Sequence, residues 1–242
     1  MTLPTARDPA AGWAEVARAP QPGADELADF EILGPAPGAG QLYVAVRPAN
    51  AADGDTRTVR IYDFNARSWS APQWPALKYD ISSIVWRQGG HELAGACYVA
   101  DVFGCDFKDP ELQARARGLS RYFQGRRNVQ PVSVSADGRL WVLSVSGADL
   151  PGAYYLFDAE KKDVALVGER YPELPEAVLG KAEPFAVKAR DGTAIPAYLT
   201  RPPNAGDGPL PTVVLVHDGP RARDSLDFTP LVQFLATRGF QV

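Results

Sequence analysis

From Phe30 onward the chain alternates apolar and polar residues in short runs, the period of strands with one buried and one wet face. Residues 41–46 and 58–64 form a first pair, with a mostly polar loop at 50–55 between them and a turn at Asn65-Ala66. A second cycle starts at Ile81 and contains 83–86, a Gly89-Gly90 turn and 93–99. A third starts at Pro131 and contains 132–134, the Asp137-Gly138 turn, 140–145, 154–157, a Lys161-Lys162 turn and 164–167. Superposing 84–86 on 132–134 gives a spacing of 48 residues (132 minus 84), within the about 40 to 50 residues of a propeller blade. The same strands also suit a β-sandwich of unrelated hairpins.

Between the second and third cycles the period becomes helical. Asp109 is the cap, Pro110 and Glu111 fill the first turn, and Leu112, Ala116, Leu119 and Phe123 share one face, so the stretch near 109–123 reads as a helical insertion in a blade. Residues 1–28 are rich in Ala, Pro and Gly, with Trp13 and Val16 as their apolar anchor, and are expected to be partly disordered. Pro172 and Pro175 mark a linker at 171–181, where the sequence sets a domain boundary. Beyond it, 185–189 and 195–199 alternate around Arg190-Asp191-Gly192 as a hairpin.

Residues 212–216 are apolar or β-branched throughout, the pattern of a strand buried on both faces, and that strand would end at His217-Asp218-Gly219-Pro220. A strand ending there delivers backbone N–H groups to the carboxyl edge of a sheet, where open α/β sheets bind ligands. Thr229 then caps a helix with Pro230 in its first turn, Leu231, Phe234, Leu235 and the stem of Arg238 form its stripe, Gly239 ends it, and 240–242 begins another strand.

Composition narrows the field. A net charge of -4 and a pI near 5.3 speak against a nucleic-acid partner, and the basic stretch 115–127 reads as a solvated helix. No apolar run approaches the roughly 20 residues that span a bilayer, and residues 1–20 lack the basic start and apolar core of a secretion signal, so a cytoplasmic protein is expected. With His91 and His217 as the sole histidines, no zinc site is expected, and Cys97 and Cys105 read as reduced, half-buried thiols, although they can form one bridge. The glycines of 34–40 lack the Lys-Ser/Thr ending of a phosphate loop, and Gly180-Lys181 is followed by Ala182. No cofactor or metal is expected.

The run VVLVHDGP at 213–220, then Arg223-Asp224, Phe228-Thr229-Pro230 and 233–240, resembles the start of the catalytic domain in the prolyl oligopeptidase family of serine peptidases, especially its acylaminoacyl-peptidase-like branch. Residues 149–158 and 189–200 resemble that family's last propeller blade and first hydrolase hairpin, so the resemblance covers most of the chain. It implies mainly β, propeller-like blades at 29–170, then the N-terminal part of an α/β-hydrolase domain at 182–242. It also implies a Ser-Asp-His triad acting on peptide or acylated-peptide substrates. In such hydrolases the order is serine, acid, histidine, with the serine on a Gly-x-Ser-x-Gly elbow. No such elbow occurs here and His217 precedes its place, so no catalytic residue is assigned within the chain, and the triad is expected beyond Val242.

What the resemblance places here is the oxyanion-hole loop His217, Asp218, Gly219 and Pro220, with Gly219 as candidate N–H donor and His217 as a brace. The family normally carries Gly where this chain has Asp218, whose carboxylate would oppose a developing oxyanion. In some relatives a propeller helix supplies carboxylates for a substrate's free amino terminus, which would fall to Glu111; the simpler reading is that Glu111 favours its helix N-terminus electrostatically. A non-enzymatic propeller interaction protein with a decayed hydrolase half is the alternative function.

Overall fold

The alternating segments become antiparallel meanders, each sheet wound from strands consecutive in sequence. The computed structural model describes residues 2–4, 13–15, 29–48, 55–87, 92–219 and 222–242. Most of 1–28, the loop at 50–54, the turn at Gly89-Gly90, His91 and Pro220 lie outside the described residues. Strands β1 (Thr2–Pro4) and β2 (Trp13–Glu15) pair with each other. A four-stranded sheet follows, of β3 (Phe30–Pro35), β4 (Gln41–Val46), β5 (Thr58–Asp63) and β6 (Ser68–Trp69). Next come three strands, β7 (Ile81–Trp86), β8 (Leu93–Val99) and β9 (Phe103–Phe107). Four more follow, β10 (Asn128–Val134), β11 (Leu140–Gly147), β12 (Leu150–Asp158) and β13 (Asp163–Glu169). A hairpin of β14 (Lys181–Lys188) and β15 (Ala194–Arg201) completes the strands. The repeat seen in the sequence aligns β7 with β10, and each is the first strand of its sheet.

The chain divides into two compact units, Met1–Ile81 with Gly219–Ala222, and Ser82–Asp218 with Arg223–Val242. In the first, Tyr43, Val44, Ala45, Val59 and Ile81 are buried. Arg57 is buried with them, 2% exposed, and its guanidinium meets the Glu31 carboxylate and the Ile81 carbonyl, because a buried cation needs both charge and hydrogen-bond partners. Burial lowers the pKa of the nearby Arg47, but hydrogen bonds and charge from Asp80 and Asp29 outweigh it, so the net shift is upward.

In the second unit, helix α1 (Pro110–Tyr122) begins where Asp109 Oδ1 accepts from the N–H groups of Glu111 at 2.8 Å and Leu112 at 3.1 Å. It lays Leu119 on Trp141, Leu143, Val145 and Phe157, with Leu112 and Phe123 packed alongside. Full burial of side chains such as Leu143 and Val145 contributes about 1.5–3 kcal/mol each. The basic stretch 115–127 is more structural than a solvated helix. Arg115 donates to the Gly138 carbonyl at 3.2 Å and sits 5.2 Å over the Trp141 ring, Arg126 donates to the Ala182 carbonyl at 3.2 Å, and Arg127 pairs with Asp149 and Glu176.

The cysteines also depart from expectation. Cys97 and Cys105 occupy facing positions of the β8–β9 pair and are joined in a disulfide rather than free. Side chains at facing positions of an antiparallel pair are neighbours, and without β9 recognised that register is not legible in the sequence.

Helix α2 (Pro230–Ala236) starts at Thr229, whose hydroxyl makes no capping bond. Its expected apolar stripe faces outward instead, with Leu231 and Phe234 about half exposed and the Arg238 guanidinium 3.6 Å over the Phe234 ring. The buried face is Gln233 and Ala236. Gln233 is tolerated there because all its polar atoms are used, on Gly180 and Ala148.

Candidate functional site

The candidate loop leaves a short stretch of parallel pairing. Thr212 bridges Gln241, with Val213 N–H donating to the Gln241 carbonyl at 2.8 Å and Gln241 N–H to the Pro211 carbonyl at 2.9 Å. Val242 exchanges two hydrogen bonds with Thr200 of β15, at 2.8 and 2.9 Å. The chain order across this patch is therefore β14, β15, 241–242, 211–213.

The expected buried strand at 212–216 is not formed beyond that bridge. Val214 and Val216 are 80% and 81% exposed, against the burial that their sequence pattern predicts. A both-sides-buried strand requires a covering layer on each face, and the described residues supply none over 214–216.

His217 and Asp218 follow, both exposed. The His217 ring bonds locally, its Nδ1 3.0 Å from the Asp218 carbonyl oxygen. Gly219 has φ +68, in the left-handed region that glycine enters without the strain a side chain brings. Such a residue turns the chain sharply. Glu111 pairs with Arg115 at 3.0 Å one helical turn on, with its side chain 82% exposed. It is not among the residues lining the cleft of about 340 Å³ between α1 and the adjoining strands, where Asp106, Gln113, Arg117 and Trp141 stand.

Just beyond the loop in the chain, Arg223 belongs to a polar cluster that no sequence motif announces. The Tyr198 hydroxyl on β15 donates to Asp101 Oδ1 at 2.7 Å, and Arg223 Nη2 donates to the same hydroxyl oxygen at 3.1 Å while lying 3.8 Å from the Asp101 carboxylate. Burial, then the Asp101 carboxylate, raises the Tyr198 pKa, with Arg223 opposing, so the phenol keeps its proton at neutral pH. Next to it Leu226 N–H donates to the Asp101 carbonyl at 2.6 Å, and Asn128 Nδ2 donates to the Leu226 carbonyl at 3.1 Å. Asn128 Oδ1 accepts from Phe103 N–H at 2.6 Å. Asp101 lies in the turn between β8 and β9, so only its distance to Tyr198 and Arg223 across the fold, invisible in sequence, reveals it. Among the described residues no group of three His, Cys, Asp or Glu is placed to hold a metal ion, and no helix is long and apolar enough to cross a membrane.

Comparison with known proteins bears out the resemblance read from the sequence. The chain is 36% identical over 163 residues to dipeptidyl peptidase family member 6 of Caenorhabditis elegans, covering 56% of this chain and 22% of that protein. It is 31% identical over 141 residues to dipeptidyl aminopeptidase BIII of Pseudoxanthomonas mexicana, covering 55% of this chain and 20% of that protein. The fold matches the acylaminoacyl peptidase of Pyrococcus horikoshii with a TM-score of 0.55 at 13% identity, over 88% of this chain and 31% of that one. No protein-family model matches the sequence. The chain thus spans about a fifth of the length of these curated relatives.

Proposed function

We propose that this chain is part of a serine peptidase of the prolyl oligopeptidase type, acting on peptides or acylated peptides. The observation that carries the reading is the 36% identity to a dipeptidyl peptidase over more than half of the chain. In this reading 29–170 contributes propeller blades, 171–181 the linker and 182–242 the opening of the α/β-hydrolase domain. Gly219, at φ +68, presents the backbone N–H that stabilises the tetrahedral oxyanion, a contribution of about 3–4 kcal/mol in the transition state. His217 braces the loop through its contact with the Asp218 carbonyl. The attacking serine, its base and the orienting acid lie beyond Val242, so residues 1–242 alone polarise a carbonyl without attacking it.

The full-length gene product tests the reading. It should hydrolyse dipeptidyl or acylaminoacyl chromogenic amides and be labelled stoichiometrically by a fluorophosphonate, which reacts with an activated serine. Absence of both turnover and labelling sinks it. Asp218 favours a second reading, a propeller binding protein with a decayed hydrolase half, since a carboxylate in the donor loop opposes a developing negative charge. That outcome would show as a full-length protein without label that still binds peptide.

A further inference from the structure

The sheet β7–β9 is one strand shorter than the meanders β3–β6 and β10–β13, each of which carries a fourth strand on the outer edge of its third; β9 is followed by α1 instead. What the β9 edge presents follows from its register on β8. At one end of the pair Lys108 N–H donates to the Ala94 carbonyl at 3.0 Å, and at the other Ala100 N–H donates to the Val102 carbonyl at 3.1 Å. Bonding alternates along an antiparallel pair, so Gly104 and Asp106 turn their peptide groups to β8, while Phe103, Cys105 and Phe107 turn theirs outward. Two of those outward N–H groups are taken by side-chain amides, that of Phe103 by Asn128 Oδ1 and that of Phe107 by Gln113 Oε1, both at 2.6 Å. Between them the outward N–H and carbonyl of Cys105 have no partner among the described residues, and the disulfide to Cys97 pins this residue at the middle of the edge. Cys105 lines the cleft of about 340 Å³ under α1, beside Tyr98, Phe107 and Trp141, and the whole lining belongs to the second compact unit. Of the charged side chains there, Arg127 is committed to Asp149 and Glu176, and Asp106 accepts from Gln113 Nε2 at 3.3 Å. Arg117 is exposed and has no ion-pair partner among the described residues.

We propose that this cleft is a peptide-binding site: an extended segment of another chain, about three residues long and bearing a carboxylate, takes the fourth-strand position on β9, exchanges two hydrogen bonds with Cys105 and sets its carboxylate against Arg117. An edge strand offers its backbone groups to any extended chain, and the aromatic walls bury the side chains that such a chain brings. The length follows from the two amides, which already occupy Phe103 and Phe107, about 14 Å apart along the strand, and leave one residue between them to pair. The volume agrees, since it lies at the small end of ligand pockets and admits a few residues rather than a folded domain. Carboxylate chemistry follows from Arg117, the lining guanidinium that no acid neutralises among the described residues. The site needs no catalytic centre and is independent of the peptidase reading.

The test uses residues 1–242 and fluorophore-labelled pentapeptides of Thr and Val, blocked at both ends, with a single Glu at the second, third or fourth position. At least one should bind saturably below about 1 mM by fluorescence anisotropy and slow exchange of the Cys105 amide by about fivefold, with 154–157 unchanged. N-methylating the peptide one residue at a time should weaken binding at least about tenfold at the residue that pairs with Cys105, because its donor is removed. Replacing Glu by Lys should weaken binding about fivefold, and Arg117→Ala, a change at an exposed side chain, should abolish that preference without altering the exchange of 154–157. Binding by none of the three peptides overturns the site. Binding that leaves exchange across 103–107 unchanged, or that withstands N-methylation at every position, overturns strand addition. Equal binding of the Glu and Lys peptides by the parent chain overturns the role of Arg117. None of these outcomes depends on turnover by the longer protein.

Discussion

The side-chain amide of Gln233 grips the Gly180 peptide at both ends, its Oε1 accepting from the Gly180 N–H and its Nε2 donating to the Gly180 carbonyl, each at 2.8 Å. The same Nε2 also donates to the Ala148 carbonyl at 2.7 Å, so one side chain joins a sheet turn, the segment before β14 and helix α2. With Gln233 only 4% exposed, Gln233→Leu leaves these backbone groups without partners or water. The expected loss is about 2–4 kcal/mol of unfolding free energy, read as a lowered urea midpoint at unchanged slope. Gly180→Ala should be as damaging, because a Cβ there would stand 2.6 Å from the Arg201 carbonyl oxygen and 2.9 Å from Ala236 Cβ.

Acid should weaken the β11–β12 hairpin through Asp158. Arg139 donates to both Asp158 carboxylate oxygens, at 3.1 and 2.8 Å, and with the Lys161 and Glu160 N–H groups holds that carboxyl well below the usual range. Because the folded value is depressed, the folded chain binds fewer protons. The stabilisation is therefore present above the unfolded carboxylate pKa of about 4 and lost as pH falls from there through the folded value. Urea midpoints between pH 7 and pH 2 should fall less steeply for Asp158→Asn than for the parent chain; identical slopes would remove Asp158 from the account.

Native-state hydrogen exchange should rank the amides of 140–145 and 154–157 well above those of 213–216. The first two segments are laddered on both edges, and Leu143 and Val145 are 0% exposed. Beyond the Val213 N–H bond to Gln241 the other segment shows no ladder among the described residues, and its exposed valines favour edge-to-edge pairing with a second copy, so sedimentation should show association that grows with concentration. Strong protection of 213–216 in a dilute monomeric sample contradicts both expectations.

Purified residues 1–242 should not hydrolyse aminoacyl, dipeptidyl or ester chromogenic substrates above buffer, and turnover that scales with protein through repurification would count against the proposed division of labour. If the proposed peptidase reading holds, Asp218→Gly in the longer protein should raise kcat more than it changes KM, since the repulsion it removes acts where charge develops. An unchanged or lower kcat would mean that the carboxylate is accommodated or used.

Local chemistry was legible where it acts within a few residues. Asp109-Pro110 announces α1 and its cap, Asp191-Gly192 the β14–β15 turn, and the period-2 runs the central strands of each meander. What escaped depends on partners distant in sequence. Gln233 is polar in a helix whose apolar residues suggested the opposite buried face, and only Gly180 and Ala148, 53 and 85 residues away, reverse that. Phe103–Phe107 pairs with β8 although Gly104 and Asp106 lower its strand propensity, and with it went the Cys97–Cys105 pairing. The run at 212–216 has the composition of a central strand, yet composition records only what a segment needs, and its neighbours are not supplied.

The meander order of the sheets also sets a timetable for synthesis. Within the sheets β3–β6, β7–β9 and β10–β13 each strand after the first pairs with the strand made just before it, so each sheet can close as its last strand leaves the ribosome, with little loop-closure entropy to overcome. The Thr212–Gln241 bridge obeys another rule: parallel neighbours need a crossover, here the whole of α2, before their first contact. The nascent chain therefore carries settled sheets while 213–216 is still waiting, and that interval is when its valines are most open to capture by a chaperone or by a neighbouring chain on the same message.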